Sequence, residues 1–271
     1  MTIFSAENYK PNRKIIPPLM TIYGSVGVGK STFAAGFPKP FFFDFEGRTM
    51  HIKNIVRDCD YGIDILSLQN WGQLIDAIKE LATTDFETIV FDGITKLQNF
   101  VWEEVGRQLN HPNPRTMPYG VGYARAGELF ASLMFVAKEL QNKHKKTIIF
   151  IDHEKVKEED SSVVNSQSLT KYYPECMSGI SRILVKESDY IFRLTEDITI
   201  IEDKKTGETR AIFNNLVLHT DRKCNLEAEL KSSLPLPPKI KATYADFRAE
   251  YKIAYQKIHE GQKDNRQELA S

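Results

Sequence analysis

The sequence predicts an α/β protein with a mostly parallel, twisted sheet flanked by helices. Its strand candidates are short runs that are apolar on consecutive residues, which is typical of strands buried on both faces of a parallel sheet. These runs are Leu19–Tyr23, Phe41–Phe43, Thr88–Phe91, Thr147–Ile151 and Tyr190–Leu194. Segments with helical periodicity, at 70–82 and 120–143, lie between the strands, and this alternation predicts right-handed crossovers.

The composition excludes several classes of protein. The chain has 271 residues and is 41% apolar, which suffices for a sizeable core. Lys plus Arg and Asp plus Glu both number 36, so any nucleic-acid contact must come from a locally basic surface. No apolar run reaches the roughly 18 residues of a membrane span, so we expect no membrane partner. The N-terminal stretch lacks the apolar segment of a secretion signal, and we expect a cytoplasmic protein.

Three segments are expected from the changes in composition along the chain. We expect residues 1–17 to form a polar N-terminal arm, 18–232 an α/β core, and 233–271 a C-terminal linker and helix. Late in the core, apolar runs flank Lys204–Gly207, which predicts a β-hairpin extension. Residues 154–181 are polar and are expected to form a long loop, which in a compact domain is usually functional.

A phosphate-binding loop follows the first strand. Residues 24–31 fit the G-x-x-x-x-G-K-[ST] pattern without a gap, and a predicted helix begins at the end of the motif. The nucleotide-binding candidates are Gly24, Ser25, Val26, Gly27, Val28, Gly29, Lys30, Ser31 and Thr32. Glycines let successive amides point at phosphate oxygens, and Lys30 reaches the β- and γ-phosphates. The alternative, a chance glycine-rich turn, does not account for the strand before the loop and the helix after it.

A magnesium ion bound with the nucleotide needs oxygen ligands beside the loop. The Ser31 hydroxyl is one candidate, and Asp92, which directly follows the strand candidate Thr88–Phe91, is the other. An aspartate here is the expected Walker B carboxylate. The alternative is that Asp92 only caps the helix that follows.

Hydrolysis needs a group that orients or deprotonates the attacking water. Asp44 and Glu46 follow the strand Phe41–Phe43 and lie on the same side of the chain, and we expect Glu46 to act as the base. Alternatively, both carboxylates only cap the next segment. His153 follows the strand Thr147–Ile151 and is the candidate contact to the γ-phosphate. A strand-end histidine without a catalytic role is the alternative for His153.

Together these segments resemble the RecA-type P-loop ATPase core, over roughly residues 19–230. The segment ending in Glu46 resembles that family's glutamate-bearing strand end, and the one ending in Asp92 its Walker B strand. His153 stands where RecA has glutamine. The compact length and this histidine are most similar to the small RecA-core ATPases of bacteriophages, which include NTP-binding and single-strand annealing recombination proteins. The resemblance implies ATP and Mg²⁺ as ligands, and a host-cell cytoplasm if the chain is phage-encoded.

The resemblance also implies hydrolysis between the subunits of a homo-oligomeric ring or filament. The strand before Arg222 resembles the one that carries the family's basic finger, although Thr220 replaces the first of its two basic residues. Arg222 is therefore the candidate finger, with a solvated surface charge as the alternative.

Single-stranded DNA is the partner that the resemblance implies, with contacts in and near two irregular stretches, residues 110–119, which hold three prolines, and residues 154–181. The candidates on the later stretch are Lys155, Lys157, Lys171, Tyr172 and Tyr173, and those on the earlier one are Arg115, Tyr119, Tyr123 and Arg125. Lysine and tyrosine are also common on mobile loops, and Glu158, Glu159 and Asp160 would repel phosphates.

Three functional hypotheses follow. The first is an ATPase that acts in DNA recombination, single-strand annealing or replication. The second is a nucleotide-switched module that loads or binds a replication or recombination partner protein, without DNA-stimulated turnover. The third is a small-molecule or nucleotide kinase, which the absence of an arginine-rich lid disfavours. No guanine-reading N-K-x-D motif occurs in the chain, so ATP is the expected nucleotide.

Overall fold

A computed structural model describes residues 16–47, 68, 70–160, 168–202, 209–221 and 229–268. The helices are α1 (Lys30–Ala35), α2 (Trp71–Glu80), α3 (Ile94–Leu109), α4 (Val121–His144), α5 (Ser178–Glu187) and α6 (Tyr244–Glu268). The strands are β1 (Leu19–Gly24), β2 (Pro40–Asp44), β3 (Thr88–Asp92), β4 (Thr147–Asp160), β5 (Ser168–Pro174), β6 (Tyr190–Glu202), β7 (Thr209–His219), β8 (Lys231–Ser232) and β9 (Lys239–Lys241). Nearly all of the predicted arm lies outside the described residues.

The sheet has the order β2-β3-β4-β1-β6-β7-β9 in the described part of the chain, with β5 paired to β4 and β8 to β6. Strands β2, β3, β4, β1 and β6 are mutually parallel, and the remaining pairings are antiparallel. This arrangement confirms the predicted α/β class, and the β6–β7 pair confirms the predicted hairpin extension. The carboxyl ends of the parallel pairings lie at one edge of the sheet, which is where ligands bind in open α/β folds, and β4 and β6 continue past this edge.

Both faces of the sheet are covered, which explains why the strands are continuously apolar. On one face Phe43, Phe91 and Phe150 stack across three neighbouring strands, with ring centroids 5.1 and 4.8 Å apart. Helices α2 to α5 pack on this face. On the other face Phe42 packs with Phe33 of α1 and residues of α6. The predicted helices at 70–82 and 120–143 correspond to α2, with the short 3₁₀ turn after it, and to α4.

The expectation of a long loop over 154–181 is wrong. Strand β4 continues beyond the sheet to Asp160, β5 pairs with it in an antiparallel hairpin, and α5 follows. Both faces of this hairpin carry polar residues, so it has neither a continuous apolar run nor an apolar–polar alternation. Hydropathy patterns detect strands by the faces that they bury, and this hairpin therefore gave no strand pattern.

The segment predicted as a C-terminal linker and helix packs closely on the sheet. Strand β9 pairs with β7, and the ring of Phe247 on α6 lies 6.4 Å from Phe33 and 5.8 Å from Phe37. The division of the chain into arm, core and C-terminal segment stays a prediction. In the described part of the chain, no helix combines the length and apolar character needed to cross a membrane.

Candidate active site

The phosphate loop lies between the end of β1 and the start of α1. Gly27 and Gly29 have φ angles of +79° and +97°, in the left-handed region that favours glycine. Gly24 lies directly against strand β6, where a Cβ atom would collide with the carbonyl oxygen of Leu194. Glycine is therefore required at each of these positions, and the backbone curls as the motif predicts.

Lys30 points into this loop and is almost fully buried. Its Nζ donates to the carbonyl oxygens of Gly24, at 2.9 Å, and Ser25, at 2.7 Å, and lies 3.4 Å from Nδ1 of His153. Burial lowers the pKa of Lys30, although the nearby carboxylates of Asp92 and Glu46 act in the opposite direction. The ammonium group thus lies within the loop, held by two of its carbonyl oxygens.

The side chains of Ser31 and Asp92 are hydrogen-bonded to each other, as expected for two residues that ligate one metal ion. The Ser31 hydroxyl donates to Oδ2 of Asp92, and burial raises the pKa of Asp92 to about 6. The N-cap residue of α3 is Gly93, so the alternative role of Asp92 as a helix cap does not apply.

A buried carboxylate beside a hydroxyl fits Mg²⁺, which prefers oxygen ligands and keeps several water or phosphate oxygens in its shell. In the described residues no group of three or more His, Cys, Asp or Glu side chains forms a closed metal site. The adjacent Ser31 and Asp92 oxygens would hold a magnesium ion bound together with a nucleotide.

The two carboxylates after β2 have different roles. Oδ1 of Asp44 accepts hydrogen bonds from the backbone amides of Glu46, at 3.1 Å, and Gly47, at 2.8 Å, so Asp44 caps the turn. Glu46 instead directs its side chain across the edge of the sheet, where Oε1 lies 2.8 Å from Nε2 of His153. The capping alternative therefore describes Asp44 and not Glu46.

His153 stands between a cation and a carboxylate. One ring nitrogen is 3.4 Å from Lys30 Nζ and the other 2.8 Å from Glu46 Oε1. The hydrogen bond with Glu46 raises the pKa of His153. The side chains of His153 and Glu46 are only 19% and 11% exposed, so water is largely kept from this contact. The structure thus brings the predicted base and the predicted phosphate contact together.

Three further polar residues at this edge were not predicted. Buried Asp152 accepts hydrogen bonds from the amide and hydroxyl of Thr95 and from the amide of Cys176, and so ties the start of α3 to the end of the β4–β5 hairpin. Glu154 contacts both the phosphate loop and Arg193. Arg193 had a detectable pattern, because it is a charged residue within the otherwise apolar strand candidate Tyr190–Leu194.

The nucleic-acid candidates divide between the two faces of the β4–β5 hairpin. Lys155 pairs with Tyr173 and Lys157 with Lys171, so these four side chains share one face, which we call the lysine face. Tyr172 lies on the opposite face, where the guanidinium of Arg193 is 3.5 Å from the centre of its ring. The structure therefore groups four of the five candidates and separates Tyr172 from them.

The other candidates have different outcomes. Arg222 lies outside the described residues, so its role as a finger stays a prediction. In the earlier stretch two short 3₁₀ turns, Pro114–Thr116 and Pro118–Gly120, each begin at a proline. Arg115 lies 5.0 Å from the ring centre of Trp102, and Tyr119 is fully exposed.

The curled loop, its buried lysine and the paired serine and aspartate at the carboxyl edge of a parallel sheet define a P-loop NTPase. A family model described as an AAA domain matches residues 16–222, and the chain belongs to that family. None of the curated proteins matches this sequence. The crystal structure of the RadB recombinase is similar, with 15% sequence identity and a TM-score of 0.41 over 80% of this chain and 92% of the recombinase chain.

Proposed function

We propose that this P-loop NTPase binds and hydrolyses Mg–ATP and acts in DNA recombination, single-strand annealing or replication. The observation that carries the proposal is the convergence of Lys30, the Ser31–Asp92 pair and the Glu46–His153 pair at one edge of the sheet. These groups supply the cation, the metal ligands and the base that phosphoryl transfer to water requires.

Nucleotide binding uses the phosphate loop. Lys30 exchanges the carbonyl oxygens of Gly24 and Ser25 for phosphate oxygens, which carry a much larger negative charge. Ser31 and Asp92 would hold the metal ion, which when bound would neutralise part of the phosphate charge. The lowered pKa of Lys30 shows that burial opposes its charge, and a bound triphosphate would offset that cost.

Hydrolysis uses Glu46 as the general base. Its carboxylate takes a proton from the attacking water, while the hydrogen bond from His153 fixes its orientation across the edge of the sheet. His153 also lies beside Lys30, so its ring is positioned to respond to the terminal phosphate. In this proposal Arg222 of a neighbouring copy completes the site within a ring or filament.

Single-stranded DNA binds the lysine face in this proposal. Lys155, Lys157 and Lys171 place three positive charges on one side of the hairpin, and Tyr173 adds an aromatic ring on which a base can stack. Strand alternation places Glu158 on the opposite face, away from Lys157. Tyr172 lies on the other face of the hairpin and packs against Arg193 instead.

A second candidate function is a nucleotide-switched module that binds a replication or recombination partner protein. The observation that favours it is the apolar surface of the β6–β7 ribbon. Ile198 and Phe213 are cross-strand partners and are 48% and 65% exposed. An exposed apolar pair on a two-stranded ribbon is typical of a protein contact.

The rate of ATP hydrolysis, measured with and without single-stranded DNA, separates the two functions. The oligomer mass is measured under each condition, and duplex DNA of equal length is the control. We expect single-stranded DNA to raise the rate and to increase the mass. Nucleotide binding without stimulation would favour the partner-binding module, and no nucleotide binding would contradict both.

A further inference from the structure

A buried ion pair adjoins the phosphate loop. Oε1 of Glu154 accepts a hydrogen bond from the Ser25 hydroxyl at 2.6 Å, and Oε2 accepts one from Nε of Arg193 at 2.8 Å. The side chains of Glu154 and Arg193 are only 11% and 13% exposed. The carboxylate thus bridges the second residue of the loop and a strand on its far side.

The charge of Glu154 is unexpected at this position. A loop that cradles phosphates attracts anions, and a carboxylate in contact with it repels the phosphates that the loop should bind. Glu154 also lies close enough to Lys30 for its charge to oppose the lowering of that lysine's pKa by burial, and the ammonium group of Lys30 reaches the terminal phosphates. ATP carries one more phosphate than ADP, and hence more negative charge, at the end of the nucleotide that Lys30 reaches, so the repulsion is larger for ATP.

Arg193 connects the same carboxylate to the β4–β5 hairpin. Its guanidinium lies 3.5 Å from the ring centre of Tyr172, on the face of the hairpin opposite the lysine face. The hydroxyl of Tyr23, the residue just before the phosphate loop, donates to the carbonyl oxygen of Tyr172 at 3.2 Å. A displacement of Glu154 would thus move Arg193, and with it the packing of Tyr172.

We infer that Glu154 is a positioning residue that discriminates between ATP and ADP and links the γ-phosphate to the hairpin. Its carboxylate repels the γ-phosphate, and the guanidinium of Arg193 weakens this repulsion by neutralising the charge of Glu154. When Glu154 is displaced, Arg193 moves with it and shifts the ring of Tyr172. This inference rests on the proposed function, because it requires a nucleotide at the phosphate loop. It adds a role for three residues that the proposed hydrolysis does not use.

The inference predicts opposite effects for the two members of the ion pair. Glu154→Gln keeps the shape and can still accept from Ser25, but removes the charge. We expect it to bind a non-hydrolysable ATP analogue about 3- to 10-fold more tightly, with ADP affinity changed less than about 2-fold. Arg193→Gln leaves Glu154 without its cation and should weaken binding of the analogue. Glu80→Gln, at an exposed position on α2, is the matched control.

Calorimetric titrations of the full chain with Mg²⁺ and each nucleotide test this prediction. A residue that only supports the fold would weaken binding when either partner is replaced. Weaker or unchanged analogue binding by Glu154→Gln, or equal shifts for the analogue and ADP, would overturn the inference. If Glu154→Gln does not fold, Arg193→Gln decides: selective loss of analogue affinity supports the inference, and equal loss of analogue and ADP affinity overturns it.

Hydrogen–deuterium exchange tests the link to the hairpin. In the wild-type protein we expect the analogue, and not ADP, to change amide exchange in residues 170–174, and Glu154→Gln to reduce this change. An identical response in the wild type and the variant would overturn the link. Absence of nucleotide binding by the wild-type protein would instead refute the proposed function itself, so the two failures are distinguishable.

Discussion

Glu46 and His153 meet across the end of a strand to which neither belongs. Glu46 follows β2, His153 lies on β4, and β3 separates the two strands in the sheet. Their side chains nevertheless approach to 2.8 Å, and the residue below the contact is Gly93. A Cβ atom at Gly93 would lie 2.5 Å from Oε1 of Glu46. The bare backbone after Asp92 therefore makes room for the proposed base.

Gly93→Ala should slow ATP hydrolysis without weakening nucleotide binding. The backbone at Gly93 is extended and accepts alanine, so the new methyl group displaces Glu46 rather than the fold. We expect kcat to fall about 10- to 100-fold, as for other small misplacements of a catalytic group, with little change in nucleotide affinity. Gly127→Ala, where a Cβ meets nothing within 4 Å, is the control. A kcat equal to that of the wild type would show that the Glu46 position is unimportant.

Lys30→Ala should abolish tight nucleotide binding. The substitution removes the ammonium group that lies within the phosphate loop and leaves the backbone amides alone to hold the phosphates. We expect affinity for ATP to fall by at least about 100-fold, since charge-assisted contacts are the strong ones at phosphate sites. Isothermal titration measures this, with Lys79→Ala on the exposed side of α2 as control. Unchanged affinity for ATP would show that the phosphate loop does not bind the nucleotide through Lys30.

Replacing Lys157 and Lys171 together should weaken binding to single-stranded DNA and flatten its salt dependence. The two residues are cross-strand partners on the lysine face. Loss of two phosphate contacts should reduce the slope of log affinity against log salt by about 1.4. Fluorescence anisotropy of a labelled oligonucleotide over a salt series measures the slope. Lys252→Ala, an exposed position on α6, should leave it unchanged, and an equal slope for the double variant would refute the DNA surface.

His219 should make the fold sensitive to acid. Burial lowers the pKa of His219 to about 4, helped by the nearby charges of Lys239 and Arg193. Its Nδ1 is the one buried side-chain nitrogen or oxygen without a hydrogen-bond partner among the described residues. Below pH of about 6.5 the unfolded chain binds a proton that the folded chain refuses, so the free energy of unfolding falls as the pH drops toward 4.

The expected slope from this group is at most about 1.4 kcal/mol per pH unit. Urea unfolding of the wild type and of His219→Gln, between pH 4.5 and 7, isolates it, because the other titrating groups are common to both proteins. His153 acts in the opposite sense: its raised pKa contributes stability below pH of about 6.5 that is lost as the pH rises through the folded value. Equal slopes for the two proteins would contradict the prediction for His219.

The predictable parts of the fold and the site are those that depend only on residues close together in the sequence. The apolar strands, the phosphate loop and the polar residues after each strand are local patterns. Because parallel strands end at one edge of the sheet, Asp92, Glu46 and His153 could be placed near the loop without knowledge of the strand order.

The remaining contacts depend on which strands are neighbours. The bridge from Ser25 through Glu154 to Arg193 requires β4 and β6 to flank β1, and no local pattern specifies that order. The β4–β5 hairpin has polar residues on both faces, so its strands lack an apolar periodicity. The pairing of β9 with β7 joins segments separated by a proline-rich stretch, which reads as a linker in sequence.

The most direct test of the account is a single-turnover measurement with Glu46→Gln. The enzyme is mixed in excess with Mg–ATP, and nucleotide affinity is determined in parallel. We expect unchanged affinity and hydrolysis slowed by about 10²- to 10⁴-fold, the usual contribution of a general base. A rate equal to that of the wild type would show that the carboxylate facing His153 takes no part in cleaving the phosphate bond.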